Sequence, residues 1–584
     1  METPKRTFDI LEIALKNHPL QNALNAKVNG KWEGISTQEF YDRVQVLSNG
    51  LLELGVAQGD KIATITNNRP EWNIVNYAAA QIGAVICPVY PTISNDDYTF
   101  IFNDASVKYS FVSSAELFEK MMLIKPNVPS LLNVFTFDHV NGAEHWSKLL
   151  DMGKALQHNS KVKAINQSIQ ETDLVTIIYT SGTTGKPKGV MLSHLNLVSN
   201  ALAGTKLLPV EKGDKALSFL PLCHVFERTL LNIYILGGIE IYYAESLDTI
   251  GENIKEVKPH MFTAVPRLIE KVYDKIIAGG AMKSGIVKKL FFWAVKKANN
   301  YYERKQGGLM DKIADKLVFS KIRAGLGGNV KVIVSGSAAL QPRLARFFWG
   351  IGLPILEGYG LTETSPVVAV NTTFPKGLKF GSVGKLLEKV EVKLAQDGEI
   401  LVKGPNVMMG YYNQPQLTDE VIKEGWFHTG DIGVFEEGFL KITDRKKEMF
   451  KTSGGKYVAP QPIENRMKES PFIEQIMVVG EGKKHPSAII VPAFDAIKTW
   501  LKETENIEGL SNQQIIDNKK VIAAIDEEVL KYNKFFGQVE QLKRVVLLPQ
   551  EWTVDNGELT PTLKLKRKVI HQKYESVINK IYGE

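Results

Sequence analysis

Phe40, Val44, Leu47, Leu51 and Leu54 recur at three- and four-residue steps, the spacing that gathers them on one face of a helix. Ser36 followed by Glu39 reads as a capping box at the start of that helix, and Gly55 marks its end. The period then shortens. Lys61 to Thr66 reads as a strand, a helix follows Pro70, and Ala84 to Val89 reads as a second, apolar strand. Leu174 to Tyr179 and Val330 to Val334 are further buried-strand candidates, so strands and helices alternate as they do in layered α/β folds with a parallel sheet. Beyond Asp444, β-like runs (Gln475 to Val479, Ala488 to Val491) alternate with helical ones, which predicts a separate α+β domain of about 140 residues. A chain of 584 residues also exceeds what one hydrophobic core usually supports.

Between Lys283 and Arg323, Val287, Phe291, Ala294, Ala298 and Tyr302 fall on one helical face, with lysines and arginines elsewhere. Such a pattern suits either a basic amphipathic helix at a membrane surface or a helical insertion packed on its own domain, and the second is the simpler reading. The longest apolar stretch, Leu230 to Tyr243, is broken by Asn232, Gly237, Gly238 and Glu240 and is too short to span a bilayer. Met1 to Pro19 has interspersed acids and no apolar run, which predicts no signal peptide. A net charge of +7 spread over this length only weakly favours anionic partners. Two cysteines, Cys87 and Cys223, exclude a disulfide framework and point to a reducing compartment. Cys223 and His224 are neighbours in an extended segment, where adjacent side chains face opposite ways, so they do not read as a nucleophile pair.

After the strand ending at Tyr179 come Thr180, Ser181, Gly182, Thr183, Thr184, Gly185 and Lys186, continuing Pro187-Lys188-Gly189. Glycines let backbone N–H groups approach an anion, hydroxyls add donors, and two lysines supply countercharge. It is not a Walker loop. The first glycine of that pattern, five residues before Gly185, is Thr180 here, and Pro187 stands where the magnesium-binding hydroxyl would be. Pro187 also disfavours helix at Lys186.

This loop resembles the signature of the adenylate-forming superfamily, which includes acyl-CoA synthetases, luciferases and peptide-synthetase adenylation domains. The resemblance extends over most of the chain. It implies a large N-terminal domain of parallel-sheet α/β layers over residues 1–443, a hinge at 444–447, and a smaller mobile α+β domain over 448–584. In the motif Glu357-Gly358-Tyr359-Gly360-Leu361-Thr362-Glu363-Thr364, the family places Tyr359 against adenine, Thr362 at the α-phosphate, and Glu363 with Thr180 on Mg²⁺. Gly336 and Ser337 would pass their backbone by the adenine. Asp431, in Thr429-Gly430-Asp431, would accept from both ribose hydroxyls, a task suited to an acceptor-only carboxylate. Arg445 would contact ribose and phosphate, and Lys447 falls at the hinge. Lys451, Gly454 and Gly455 would enter the thiol site after the small domain turns. Lys446 reads as a solvated turn residue.

Near the C-terminus lies Leu559-Thr560-Pro561-Thr562-Leu563-Lys564-Leu565-Lys566, where the resemblance implies that Lys564 is the catalytic lysine, with Lys566 the alternative. Most family members have glycine directly before this lysine; here it is Leu563, a pattern that resembles the long-chain acyl-CoA synthetase branch. Asn67-Asn68-Arg69-Pro70-Glu71-Trp72 and the run Leu220 to Arg228 resemble the same branch, and place His224 near the acyl carboxylate or its gate; a histidine satisfied by backbone is the alternative. The implied function is long-chain fatty acid–CoA ligation from fatty acid, ATP, Mg²⁺ and coenzyme A through an acyl-adenylate, with no nucleic-acid partner. Delivery to acyl carrier protein, an enzyme stopping at acyl-AMP, and a non-catalytic nucleotide-binding protein are the alternatives. A cytoplasmic location, with peripheral contact at the inner face of a membrane and a homodimer both left open, completes the expectation.

Overall fold

The computed structural model describes residues 3–155, 160–180, 186–301, 307–560 and 563–583. Two large sheets form its body. One has eight strands, in the spatial order Gly410–Tyr411, Lys188–Ser193, Leu174–Thr180, Val85–Pro88, Lys61–Ile65, Val107–Val112, Asn133–Thr136, Glu144–His145. From Leu174–Thr180 onward every pairing is parallel. The second has nine strands, and its middle, from Leu24–Val28 through Lys215–Ser218 and Met261–Ala264 to Val332–Ser335 and Ile355–Gly360, is parallel, with antiparallel strands closing both ends. The helices between them share one large core, as alternating strand and helix patterns require.

Local rules account for the elements. Thr37–Glu53 is a helix whose Phe40, Val44, Leu47 and Leu51 are buried, and Ser36 Oγ accepts from Glu39 N at 3.0 Å. The expected capping box is only half realised: the Glu39 carboxylate pairs forward with Arg43 at 2.6 Å. Leu54 is the C-cap and packs, half-buried, against the core. Pro70 opens the helix Pro70–Gln81 from its first position, where a missing N–H costs nothing. The apolar stretch after Leu230 splits into the helix Val225–Gly237 and the strand Glu240–Tyr243, turning on the left-handed Gly238.

A third, antiparallel sheet of five strands follows, ending in the hairpin Trp426–Glu436 with Phe439–Arg445. From Phe450 to Ile581 a different set of apolar side chains forms its own core around the three strands Ile473–Val479, Ser487–Pro492 and Val545–Leu547. Within 283–323 the helix Gly285–Asn299 buries Phe291, Ala294, Val295 and Ala298 against its own domain. Val287 departs from the expected face: it lies in the first turn, before the packed region begins, and is exposed. Tyr302 lies outside the described residues. Among the described residues no helix is long and apolar enough to cross a membrane.

Candidate active site

The strand Leu174–Thr180 delivers Thr180 to the edge of a cleft, and Ser181, Gly182, Thr183, Thr184 and Gly185 lie outside the described residues. After Lys186 and Pro187 the chain enters the strand Lys188–Ser193, not a helix, as the proline dictates. Lys186 Nζ stands 5.6 Å from the centre of the Phe100 ring, and Lys188 Nζ stands 5.4 Å from that of Tyr411.

Across the cleft, Ile355–Gly360 ends in the segment carrying Glu357, Gly358, Tyr359, Gly360, Thr362 and Glu363. A β-carbon at Gly360 would come within 1.8 Å of the Pro366 carbonyl oxygen, so no other residue fits there. Glu357 is buried and accepts from Leu340 N at 3.0 Å; burial raises its pKa to about 7. It braces the loop containing Gly336 and Ser337, where Ser337 takes φ +70°. Glu363 Oε1 accepts from Tyr411 Oη at 2.9 Å.

Asp431 is the centre of a second group. It accepts from Tyr359 Oη at 2.7 Å on one oxygen and from Arg445 Nε at 3.1 Å on the other. Burial pushes its pKa up, and Arg445 opposes that shift. Gly430 turns at φ +72° to present it. Lys446 is an exposed turn residue, as expected, and its ammonium also pairs with Asp397 at 2.6 Å and Glu399 at 3.0 Å while its backbone N–H donates to Gly430 O at 2.8 Å.

Two cavities meet here. One, of about 970 Å³, is rimmed by Glu357, Asp431 and residues of the small domain. The other, of about 740 Å³, reaches from Thr180, Thr362 and Glu363 into an apolar chamber lined by Val89, Leu207, Leu208, Phe226, Leu230 and Ile233. Both volumes lie within the range of small-molecule sites. Tyr359, Arg445, Glu448, Lys564 and Arg567 stand in the wall that both share. The three cations differ. Arg567 is spoken for, by Glu464 through two bonds of 2.8 and 2.6 Å and by Glu448 at 3.0 Å. Arg445 holds Asp431. Among the described residues no ion pair engages Lys564, although it is recessed in the cleft. Burial, with the neighbouring Arg445, lowers its pKa to about 8. A recessed ammonium without a carboxylate is a place for an incoming anion.

Leu563, directly before it, has φ +61°, the left-handed region where glycine is at ease. Its side chain packs against both the large-domain and the small-domain cores, which explains why a leucine holds a position that favours glycine.

His224 lines the apolar chamber and caps the helix Val225–Gly237, its Nδ1 accepting from Phe226 N at 3.2 Å. Burial, with Lys564 nearby, lowers its pKa to about 3, so the ring is neutral and Nε2 carries the proton. The reading of His224 as a histidine satisfied by backbone is realised in that bond, and its ring faces the chamber as well. Cys223 is buried and its pKa is raised by that burial, which removes it as a nucleophile. Lys447, Lys451, Gly454 and Gly455 are exposed and line neither cavity; Lys451 Nζ lies 4.7 Å from the centre of the Tyr457 ring. Sequence reading missed Tyr411, which carries no motif of its own, and gave no role to Glu448, although it lies in the charged run from Asp444 to Lys451.

A model of the AMP-binding enzyme family matches residues 11–412, and a model of the AMP-binding enzyme C-terminal domain matches 448–584. The chain belongs to this family of AMP-binding, adenylate-forming enzymes. Within the family it falls among proteins named long-chain-fatty-acid–CoA ligases. FadD15 of Mycobacterium bovis is 34% identical over 95% of this chain and 94% of its own. Long-chain-fatty-acid–CoA ligase 1 of Homo sapiens is 32% identical over 95% and 83%. The same fold occurs in the adenylation domain of a carboxylate reductase from Mycobacterium chelonae, at TM-score 0.76 and 21% identity over 99% of this chain and 91% of that one.

Proposed function

We propose that this chain is an AMP-forming long-chain fatty acid–CoA ligase. The observation that carries the reading is the recessed Lys564, which no ion pair engages among the described residues, in the wall between a polar cleft and an apolar chamber. A carboxylate is a poor electrophile because its leaving group would be oxide. Attack by its oxygen on the α-phosphorus of ATP expels pyrophosphate and gives an acyl-adenylate, whose leaving group is AMP. Thiol attack by CoA then forms the thioester and releases AMP. Positioning and charge neutralisation dominate the first step.

In this reading Lys564 offsets the charge that builds as the carboxylate meets the α-phosphate. Asp431 receives the ribose hydroxyls and Arg445 steadies both. Tyr359 and the Gly336–Ser337 turn flank adenine. Thr362, with Thr180 to Gly185 and Lys186, holds phosphate oxygens. Glu363 and Thr180 suit Mg²⁺, a hard cation that takes oxygen ligands and commonly binds through one carboxylate plus substrate phosphates; the oxygen-only donors fit that mode. Mg²⁺ would supply charge neutralisation on the triphosphate. His224 donates from Nε2 toward the fatty carboxylate.

Two steps at one site require the small domain to turn. Residues through Lys446 are pinned to the large-domain sheet, whereas Phe450 is buried in the small core, which supports a pivot at Lys447 and domain limits near 443 and 448. The turn would exchange Lys564 for Lys451, Gly454 and Gly455. The apolar chamber favours long tails, at about 0.8 kcal/mol per buried methylene. Pyrophosphate release across a series of fatty acids, with and without CoA, tests the reading. Release that rises with chain length and a thioester formed only with CoA support it; release without thioester would make the chain an acyl-AMP ligase, and thioester only with carrier protein would redirect the acceptor.

A further inference from the structure

The neighbouring parallel strands Met261–Ala264 and Val332–Ser335 end side by side, with Ala264 opposite Ser335, and each feeds a segment of the cleft. Val332–Ser335 leads into the turn of Gly336 and Ser337, which runs on to Gln341, the N-cap of the helix Pro342–Gly350. Met261–Ala264 leads into the helix Pro266–Ala281, which Pro266 opens and which sets Arg267 and Glu270 three residues apart on one face. Glu270 is buried, its side chain 8% exposed, and its carboxylate gathers three donors. Gln341 Nε2 donates to Oε1 at 3.0 Å, Lys468 Nζ donates to the same oxygen at 3.3 Å, and Arg267 Nη1 donates to Oε2 at 3.4 Å. Arg267 also pairs with the Glu474 carboxylate and donates to Glu474 O at 3.3 Å. Lys468 and Glu474 belong to the small-domain segment. One helical turn of the large domain therefore grips both the turn read as flanking adenine and the small domain.

Each small-domain anchor is wired to the segment that carries Lys564. Lys468 is the C-cap of the helix Pro460–Met467, whose Glu464 holds Arg567, three residues past Lys564, through two bonds of 2.8 and 2.6 Å. Glu474 lies in the strand Ile473–Val479, where the next residue, Gln475, donates to Trp552 O at 3.0 Å and accepts from Trp552 N at 2.8 Å. Thr553 N then donates to the Glu558 carboxylate at 3.2 Å, and Lys566 N, two residues past Lys564, donates to Glu558 O at 2.8 Å. The contact is also built to release. A buried charge stripped of its partner is costly. When the small domain turns away, however, Glu270 keeps Gln341 and Arg267, and Arg267 keeps Glu270, so neither is orphaned. An apolar seam would hold two domains in many registers, whereas charged hydrogen bonds hold only at the right distance and direction.

We propose that Glu270 is a positioning residue for adenylation: by taking Gln341 and Lys468 on one carboxylate oxygen, with Arg267 beside it on Glu474, it holds the adenine turn and Lys564 in register. The assignment rests on the ligase reading and adds to it a residue that acts through others.

Purified full-length E270Q, K468M, K468R and the combined E270Q and K468M variant are assayed for acid-dependent exchange of labelled pyrophosphate into ATP and, separately, for thioester formation from supplied acyl-AMP and CoA. E270Q and K468M should each slow exchange about tenfold, and their combination by about the same factor, since both break one bridge. K468R keeps a charged donor and should stay within about twofold of wild type. Thioester formation should match wild type in all four, because the small domain would by then have left Glu270. Equal loss in the two half-reactions would assign Glu270 and Lys468 to the fold alone and overturns the proposal. So does unchanged exchange, a combined loss equal to the product of the single losses, or K468R as slow as K468M. A wild type without acid-dependent exchange sinks the ligase reading and this proposal with it, whereas exchange that is equal in wild type and variants sinks this proposal alone.

Discussion

Replacing Lys564 by alanine removes the one cation of the shared wall that no carboxylate holds among the described residues. Its ammonium would lie about 4 Å from the phosphate oxygen that gains charge as the fatty carboxylate attacks. At the effective dielectric of about 20 that suits a partly screened site, such a contact is worth about 4 kcal/mol. Losses on removing one placed stabiliser run at about 3–4 kcal/mol, or 10²–10³ in rate, so the two routes agree. The adenylation half-reaction, followed by acid-dependent pyrophosphate release in the absence of CoA, should therefore slow by about 10²–10³. Thioester formation from supplied acyl-AMP should stay within a fewfold of wild type, because in the proposed second step the small domain would carry Lys564 away. Equal loss in the two half-reactions would refute the reasoning, since it would mean that Lys564 supports the fold of the cleft and not one transition state.

The Lys564 pKa, lowered to about 8, sets a pH dependence: kcat/KM for ATP should fall as pH rises through about 8, where the ammonium is lost, and a flat profile to pH 9.5 would contradict it. The stability consequence has the opposite sense. The folded value lies below the unfolded one, so the unfolded chain binds more protons between pH about 8 and 10.5 and this group's contribution to stability rises across that window. Lys564→Met should accordingly stabilise the ligand-free protein at pH 7 by about 1 kcal/mol after allowing for screening, read as a higher Tm. Leu563→Gly relieves a left-handed φ at a cost of inter-domain packing; adenylation should drop about fivefold with little change in Tm, and faster adenylation would show that strain outweighs packing there. Lys447→Pro should spare pyrophosphate release and suppress thioester formation, and normal overall turnover would remove the hinge from the mechanism.

How much of this was legible in the sequence depends on how local each signal is. The helix Thr37–Glu53, the strand Leu174–Thr180 and the absence of a helix after Pro187 follow from neighbours within one or two turns, and the chain shows them directly. The groups around Asp431 were readable because each sits in a short run rich in Gly, Thr and charge, although their meeting was not: Tyr359 and Asp431 are 72 residues apart. Tyr411 on Glu363 was illegible, because nothing near Tyr411 marks it as different from any buried tyrosine. The apolar chamber draws Val89, Leu208 and Ile233 from three separate segments of the chain, each of which reads locally as ordinary core. Leu563 was visible as a departure from glycine, but only the backbone angle and its contact with two cores supply the reason. The Glu39 capping box and the placement of Val287 misled because a side chain with a competing partner, or a residue ahead of the packed turns, satisfies the same spacing rule.

Exchange of labelled pyrophosphate into ATP, measured with and without a long-chain fatty acid and without CoA, addresses the acyl-adenylate most directly. Exchange that requires the acid and is lost in Lys564→Ala is the predicted result. Exchange that proceeds equally without any acid, or none with any acid tried, would contradict the account.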